Sequence, residues 1–153
     1  QTHVLGRQYL IGWVDQVSLL TSRVILLSDK VAGKSRPRKV LISPTSPSSR
    51  PAEADEDVFV LEPYGGGRMI IRDIPRRMVE AGQVQVGDLV TSAPDDTRLP
   101  IAVVIGPIED LRPNRDKPIC FDAIVRHMVD PASLSEVIIV DSSQPDSSST
   151  DTR

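Results

Sequence analysis

Only a few residues in this sequence have types and spacing that could support catalysis or metal binding. General acid–base and nucleophilic chemistry usually needs a histidine, and the chain has two, His3 and His127. His3 lies near a terminus that we expect to fray, neither histidine lies in a recognisable motif, and no Gly-x-Ser-x-Gly elbow occurs. The histidines and the single cysteine, Cys120, also lack the spacing of metal ligands. The sequence therefore predicts a protein with no catalytic site, no metal site and no cofactor.

Two other segments resemble catalytic features but have simpler explanations. The glycines at 65–67 could be mistaken for a phosphate-binding loop, yet no helix headed by Lys-Ser or Lys-Thr follows them, and Arg68 opens a predicted strand. Because glycine readily adopts a positive φ, a hairpin turn explains them better. The acidic pair Glu109 and Asp110 follows a predicted strand, and we interpret it as a solvated strand end rather than a catalytic dyad.

Charge and cysteine content restrict the possible partners and compartments. The 153-residue chain has a formal charge of -3, which argues against nucleic-acid binding because that affinity comes mostly from a basic surface. One cysteine cannot form an internal disulfide. No run is long enough to cross a bilayer and no signal-peptide pattern is present. Since the chain begins at Gln1, we expect it to be part of a longer protein whose targeting and anchoring segments lie upstream.

The hydrophobic composition predicts an all-β fold. Aromatic residues make up only 3% of the chain, so the core must be built from Val, Ile and Leu, of which the β-branched residues favour strands. Short aliphatic runs separated by Gly, Pro, Asp and Ser clusters are typical of small β-barrels or sandwiches. The predicted strands are 9–17, 22–27, 38–42, 57–62, 68–73, 88–92, 99–108, 119–126 and 136–140.

Two of these runs carry more specific information. The run 119–126 largely alternates, which places Ile119 on the core face together with Phe121, Ala123 and Val125, whereas Ile124 breaks the pattern. The run 101–105 contains no polar residue, which suits a strand that is buried on both faces. We therefore expect 101–105 to lie at the centre of the fold.

The remaining segments are predicted to be turns, a loop and a tail. Asp130 followed by Pro131 favours a single helical turn, and Pro75 to Ala81, ending at Gly82, favours a second. Residues 43–57 combine Pro, Ser and acidic residues with no apolar anchor, so we expect a mobile loop. Residues 141–153 have the same character and are expected to form a disordered tail.

Three sequence blocks contain recurrent turn and strand patterns: LIGWVDQVSLLTSRVILLSD at 10–29, VQVGDLVTS at 84–92, and 119–140, which includes FDAIVRHMVDPASLSEVIIV. In this order they resemble the C-terminal periplasmic region of the MreC family of bacterial rod shape-determining proteins. Each block contains a run of aliphatic residues, predicted to be a strand, next to a turn with Gly or Asp. The family has the same arrangement. Between the second and third blocks, the segment 93–106 departs from the family pattern because it lacks the early glycines while it keeps Leu99-Pro100 and Gly106.

The resemblance implies two small β-barrels with short helical turns. Residues 1–36 would form part of the first barrel, truncated at its N-terminus, and 37–140 would supply the remaining barrel strands. The implied function is a non-catalytic periplasmic scaffold of the cell-wall elongation machinery, tethered to the inner membrane only by an upstream anchor. Its implied partners are the elongation-specific penicillin-binding transpeptidase, other shape-determining membrane proteins and further copies of itself.

Two other function classes stay open at the level of sequence. Membrane-fusion transport adaptors contain β-domains with similar Val-Gly-Asp turns, and here that turn is formed by 86–88. An unorthodox hydrolase on a chymotrypsin-like barrel would have to use His127. Activity that is lost when His127 is substituted would favour the hydrolase.

Three aromatic residues are the candidate contacts for a partner protein. Binding energy concentrates in a few aromatic or arginine side chains, which makes the only tryptophan, Trp13, a candidate together with Tyr9 and Tyr64. Trp13 occupies a position where the MreC family often has a polar or basic residue. The alternative is that Trp13 plugs one end of a barrel. An unpaired edge strand is a second possible route to a partner, but the sequence does not identify the edge.

Overall fold

The structure is a computed structural model that describes residues 2–6, 9–45, 57–94 and 102–141. These residues form ten β-strands, one short α-helix and one 3-10 turn, so the predicted all-β fold is confirmed. Most of the predicted 43–57 loop and nearly all of the predicted 141–153 tail lie outside the described residues. In chain order the elements are β1 Thr2–Gly6, β2 Tyr9–Val17, β3 Ser22–Leu26, β4 Arg38–Ser43, β5 Phe59–Gly65, β6 Arg68–Pro75, α1 Arg76–Glu80, β7 Leu89–Ser92, β8 Val104–Pro113, β9 Cys120–Arg126, the 3-10 turn Pro131–Ser133 and β10 Ile138–Asp141.

Strands β4 to β9 form a closed barrel. Their order is β8-β7-β4-β5-β6-β9, and β9 pairs back onto β8, so the sheet returns to its first strand. Every neighbouring pair is antiparallel. Closure leaves no unpaired edge around the barrel wall.

The other four strands form an adjoining sheet in the order β10-β1-β2-β3. The sheet joins the barrel through a parallel pairing between β2 and β8, at Tyr9 and Val104. Its strand β10 comes from the far end of the described chain. The N-terminal unit expected within 1–36 therefore also includes 138–141.

One continuous core lies beneath both parts. Aliphatic side chains from the barrel pack with side chains from the four-stranded sheet, and most of the core residues are almost completely buried. Because the two parts share this core, the sheet cannot separate from the barrel without exposing apolar surface. The buried cluster contains Leu10, Trp13, Ile25, Leu27, Val40, Ile42, Leu61, Met69, Ile71, Ile74, Val84, Val90, Val103, Ile105, Ile108, Ala123 and Val125.

The sequence does not predict β1. Thr2–Gly6 pairs with β2 on one side and with β10 on the other, so the expected fraying of this terminus is wrong. The His3 side chain is fully buried, and its Nδ1 lies 3.1 Å from Nη2 of Arg38. The strand has too few residues for a periodic signal, and its partner β10 is remote in sequence.

Strand β8 lies about five residues later than predicted. It runs from Val104 to Pro113 rather than over 99–108, and of the run 101–105 Val103 and Ile105 are buried, Ala102 is exposed, and Ile101 lies outside the described residues. The acidic pair Glu109 and Asp110 is therefore inside a strand and not at its end. The strand continues because β9 pairs with it there and because Nη2 of Arg68 donates to Glu109 at 2.9 Å.

The predicted turns are confirmed. Gly65, Gly66 and Gly67 have φ values of 92°, 61° and 74° and connect β5 to β6 as a hairpin. Helix α1 starts after Pro75 and is followed by Gly82 at a φ of 71°. In the 3-10 turn, Oδ1 of Asp130 accepts a hydrogen bond from the Ala132 amide at 3.0 Å.

Strand β9 follows the predicted alternation with two exceptions. Ala123 and Val125 are fully buried in the core, and Phe121 packs against it. Ile119 precedes the strand and is 77% exposed, so its predicted core position is wrong. Ile124 points to the other face, where it is buried beside Ile70 in a surface groove of the barrel.

Candidate protein-binding surfaces

Trp13 belongs to the core and is not an exposed contact. Its side chain is 2% exposed, in the middle of β2, opposite His3 on β1 and Ile25 on β3. The guanidinium of Arg36 lies 5.7 Å from the ring centroid and covers the ring. Of the two sequence interpretations, the exposed partner contact is contradicted, because the indole has almost no surface left to offer.

Tyr9 and Tyr64 differ in how much surface they offer. Tyr9 is half-buried at the junction between the sheet and the barrel. Tyr64 is 39% exposed at the end of β5, and Nζ of Lys30 lies 5.4 Å from its ring centroid. It lines a groove on the outer barrel face together with Arg72 and Arg112. Of the three aromatic candidates, Tyr64 therefore has the most accessible ring.

The most exposed apolar side chains lie at the turn between β2 and β3. The backbone N–H of Ser18 donates to the carbonyl of Thr21 at 2.7 Å, which closes the turn and leaves Leu19 and Leu20 at its two central positions. The exposed fractions are 103% for Leu19, 96% for Leu20 and 73% for Val17. Polar residues and glycine usually occupy such central positions. We call residues 17–21 the hairpin tip.

A second exposed apolar surface lies at β10, the last strand of the four-stranded sheet. Ile138 and Ile139 are each 54% exposed and Val137 is 46% exposed. Among the described strands, β10 pairs with β1 alone. The backbone N–H and C=O groups on its other edge therefore have no strand partner in the described part of the chain. The register between β10 and β1 is regular and contains no bulge. We call residues 137–140 the edge segment.

Neither surface is predicted from the sequence, and the reason is the same for both. Aliphatic residues are assigned to the core by default, because burial of apolar area is the main favourable contribution to folding. A usable signal nevertheless exists at the hairpin tip. Leu19 and Leu20 fall in a four-residue connection between two predicted strands, 9–17 and 22–27, where apolar residues have no core to reach.

Ser28 and His127 are the described pair that most resembles a catalytic arrangement, but their position is structural. Nε2 of His127 lies 3.1 Å from Oγ of Ser28, and the two residues are 7% and 1% exposed. Burial lowers the pKa of His127 below its usual value, while nearby Asp29 and Asp130 oppose the shift. The imidazole thus links the segment that follows β3 to the segment that follows β9, and both side chains are almost fully buried. No group of three or more potential metal-ligating side chains occurs among the described residues.

The sequence has two clusters of basic residues, and carboxylates pair with some of their side chains. The clusters are Lys34, Arg36, Arg38 and Lys39, and Arg72, Arg76 and Arg77. Nζ of Lys34 lies 2.8 Å from Oδ2 of Asp15, and Nε of Arg72 lies 3.3 Å from Oε2 of Glu62. Of these side chains, Lys34 and Arg72 are therefore paired and Arg38 is buried.

Comparison with known proteins gives a consistent result. The family model for the rod shape-determining protein MreC, barrel core, matches residues 1–141. No curated protein sequence matches the chain. Within the part of the chain that is described, no helix has the length and apolar character needed to span a membrane.

Solved MreC structures share the fold at low sequence identity. MreC from Listeria monocytogenes is 16% identical with a TM-score of 0.68, over 94% of this chain and 61% of that one. MreC from Pseudomonas aeruginosa is 18% identical with a TM-score of 0.63, over 90% of this chain and 77% of that one. A chain of the complex between the penicillin-binding protein PBP2 and MreC from Helicobacter pylori is 13% identical with a TM-score of 0.61, over 94% of this chain and 80% of that one. Because the family model covers all of the strands described above, the chain belongs to the MreC family of rod shape-determining proteins.

Proposed function

We propose that this chain is a periplasmic scaffold of the cell-wall elongation machinery, which maintains cell shape by binding other proteins and catalyses no reaction. The observation that carries the proposal is the match of the MreC barrel core to residues 1–141. Two exposed aliphatic surfaces on the four-stranded sheet, the hairpin tip and the edge segment, support a binding role, because apolar surface on a soluble domain marks interaction sites. In the full-length protein, a segment outside these residues would tether the scaffold to the inner membrane.

The partner we propose first is the elongation-specific penicillin-binding transpeptidase. The complex of PBP2 with MreC from H. pylori supports it, because a chain of that complex has the fold of this one. Other shape-determining membrane proteins are proposed as further partners. A scaffold of this kind would hold the transpeptidase near the other components of the machinery.

Depletion of the full-length protein in its native host tests this function. We expect rod-shaped cells to lose their shape while protein and solute export continue unchanged. The full-length gene, supplied in trans, should restore the shape. Normal morphology combined with a transport defect would contradict the scaffold and would favour the transport adaptor.

We also propose that the chain associates with itself through the edge segment. An unpaired strand edge with aliphatic side chains and no Lys or Pro can pair with another strand edge. A second copy of the chain offers the same edge. In a dimer with two-fold symmetry, the two β10 strands would pair antiparallel with each other. The apolar side chains Ile138 and Ile139 would then be partly covered on both copies.

Substitution of Ile139 by Lys should weaken this self-association at least about ten-fold, because a two-fold axis brings the two introduced charges close together. Ile139 is half exposed, so the fold should tolerate the change. Sedimentation equilibrium over a range of concentrations measures the effect. Ile119→Lys, at a 77% exposed position away from the edge segment, is the matched control. Equal association of wild type and Ile139→Lys would refute the edge pairing.

A further inference from the structure

Ser28 connects the four-stranded sheet to the barrel, in addition to the pairing of β2 with β8. It lies just beyond the end of β3. Its carbonyl accepts a hydrogen bond from the N–H of Gly65, in the β5–β6 hairpin, at 3.2 Å. Its hydroxyl oxygen lies 3.1 Å from Nε2 of His127, just beyond the end of β9. One residue of the sheet therefore contacts two separate parts of the barrel, and we call Ser28, Gly65 and His127 the joint.

The neutral form of the His127 side chain fits this joint better than the protonated form. Nε2 has a polar partner in the Ser28 hydroxyl, whereas Nδ1 is buried and has no hydrogen-bond partner within the described part of the chain. A neutral imidazole with its proton on Nε2 donates to Ser28 and leaves an uncharged lone pair at Nδ1. Protonation would place an N–H at Nδ1 with no acceptor, and a buried charge with an unsatisfied donor is costly.

The carboxylates near the imidazole are engaged elsewhere. They belong to Asp29, in the segment after β3, and Asp130, in the segment after β9. Oδ2 of Asp29 accepts a hydrogen bond from the Leu26 amide at 3.1 Å, and Oδ1 of Asp130 accepts one from the Ala132 amide at 3.0 Å. Each carboxylate attracts a positive charge on His127, but neither supplies the acceptor that a protonated Nδ1 needs.

The cations near the joint offer no acceptor either. Nη1 of Arg126 donates to the His127 carbonyl at 3.4 Å. Nζ of Lys30 lies 5.4 Å from the ring centroid of Tyr64, the residue before Gly65. Arginine and lysine side chains can only donate hydrogen bonds. Burial therefore has the largest effect, and the pKa of His127 lies below its usual value.

We propose that the joint is a pH-sensitive connection, in which protonation of His127 in mild acid releases Ser28 from the barrel and loosens the four-stranded sheet. Deprotonation restores the contact. The hairpin tip and the edge segment both belong to that sheet. The joint therefore determines how firmly these two exposed surfaces are held.

The direction of the pH dependence follows from linkage between protonation and folding. In the unfolded chain a histidine has a pKa of about 6.5, so the unfolded chain binds this proton more readily than the folded joint does. The stabilisation by the joint is therefore complete above about pH 6.5 and is lost as the pH falls through the lower pKa of the folded state.

Hydrogen exchange of the Gly65 amide measures the joint directly, because this N–H donates to Ser28. Its protection factor, corrected for the intrinsic pH dependence of exchange, should fall at least about five-fold between about pH 8 and about pH 5, the effect of one lost hydrogen bond. His127→Gln should keep the protection at both pH values, because an uncharged amide can donate to Ser28 and does not titrate. The Ser92 amide, which donates to the Val103 carbonyl at 2.9 Å in the barrel, is the internal reference and should stay protected.

A second variant tests the hydrogen bond without protonation. Ser28→Ala removes the partner of Nε2 and should lower the protection of the Gly65 amide already at about pH 8. Ser22→Ala, at an exposed position in β3, is the matched control and should behave as wild type does. His3, the other histidine, is the same in every variant, so its titration contributes equally to all of them.

Three results would overturn the proposal. Protection of Gly65 in wild type could be independent of pH, or it could fall equally in His127→Gln. Equal loss of protection at Gly65 and Ser92 would mean that acid unfolds the whole chain and not the joint. If His127→Gln does not fold, full protection of Gly65 in Ser28→Ala would show that the contact with His127 does not hold the sheet. No partner protein is needed, so these results are independent of the proposed function.

Discussion

Substitution of Gly106 by Ala is expected to destabilise the protein by about 3 kcal/mol or more, because the added methyl group has no space. A Cβ on Gly106 would lie 1.9 Å from the carbonyl oxygen of Arg126 and 2.9 Å from the amide nitrogen of Met128. Both neighbours are backbone atoms, so no side-chain rotation can relieve the overlap. The Met128 amide also donates to the Ile105 carbonyl at 3.0 Å, and separation of the two segments would strain that hydrogen bond.

The effect can be measured by urea unfolding followed through the fluorescence of the single tryptophan, Trp13. Gly66→Ala is the matched control. Gly66 has a φ of 61° and no atom within 4 Å of an added Cβ, so only the backbone conformation opposes the change. That substitution should cost about 1 kcal/mol. A free energy of unfolding for Gly106→Ala that equals or exceeds that of Gly66→Ala would show that the close approach is not required.

Removal of the Trp13 side chain is expected to lower the free energy of unfolding by about 4 kcal/mol, through loss of buried area and formation of a cavity. Trp13 is 2% exposed and packs in the cluster shared by the sheet and the barrel, beneath the guanidinium of Arg36. Trp13→Phe should cost much less because an aromatic ring still fills most of the volume. Circular dichroism can follow unfolding in both variants.

The binding behaviour of these variants distinguishes a core residue from a contact residue. Under conditions in which the Trp13→Phe variant is folded, it should bind the transpeptidase with the affinity of wild type. Tyr64→Ala, at a 39% exposed position, is the control for stability, because loss of an exposed aromatic ring should leave the free energy of unfolding nearly unchanged. A Trp13→Phe variant that folds normally but no longer binds the transpeptidase would restore Trp13 as a partner contact.

The features that the sequence predicts well are those determined by local chemistry. The glycines at 65–67 indicate a hairpin because few other residues accept a positive φ at low cost. Asp130 and Pro131 begin a helical turn through an N-cap and a fixed φ. The alternation of Ala123 and Val125 places them on the core face. In each case, the residues that predict the turn or strand face are the same neighbouring residues that form it.

The features that the sequence misses depend on residues far apart in the chain. Strand β1 is stabilised by β2 and β10, and nothing within its own five residues records that pairing. Strand β8 extends past Glu109 because β9 supplies a partner there, although the charged residues suggest a strand end. Burial of Trp13 likewise depends on strands on both sides of it. The only tryptophan therefore lies in the core, whereas the most exposed apolar pair is aliphatic and lies at the hairpin tip.

The pairing of β1 with β10 also bears on the order in which the molecule folds. Almost the whole described chain lies between these two strands, and closure of so long a loop has a high entropic cost before any contact forms. The hairpin of β5 and β6, by contrast, closes through three glycines. We therefore expect the barrel to form first and the four-stranded sheet to be completed last, by the docking of β10. Until that step, the backbone groups of β1 that pair with β10 lack their partner, and this edge is open to other strands and to proteases.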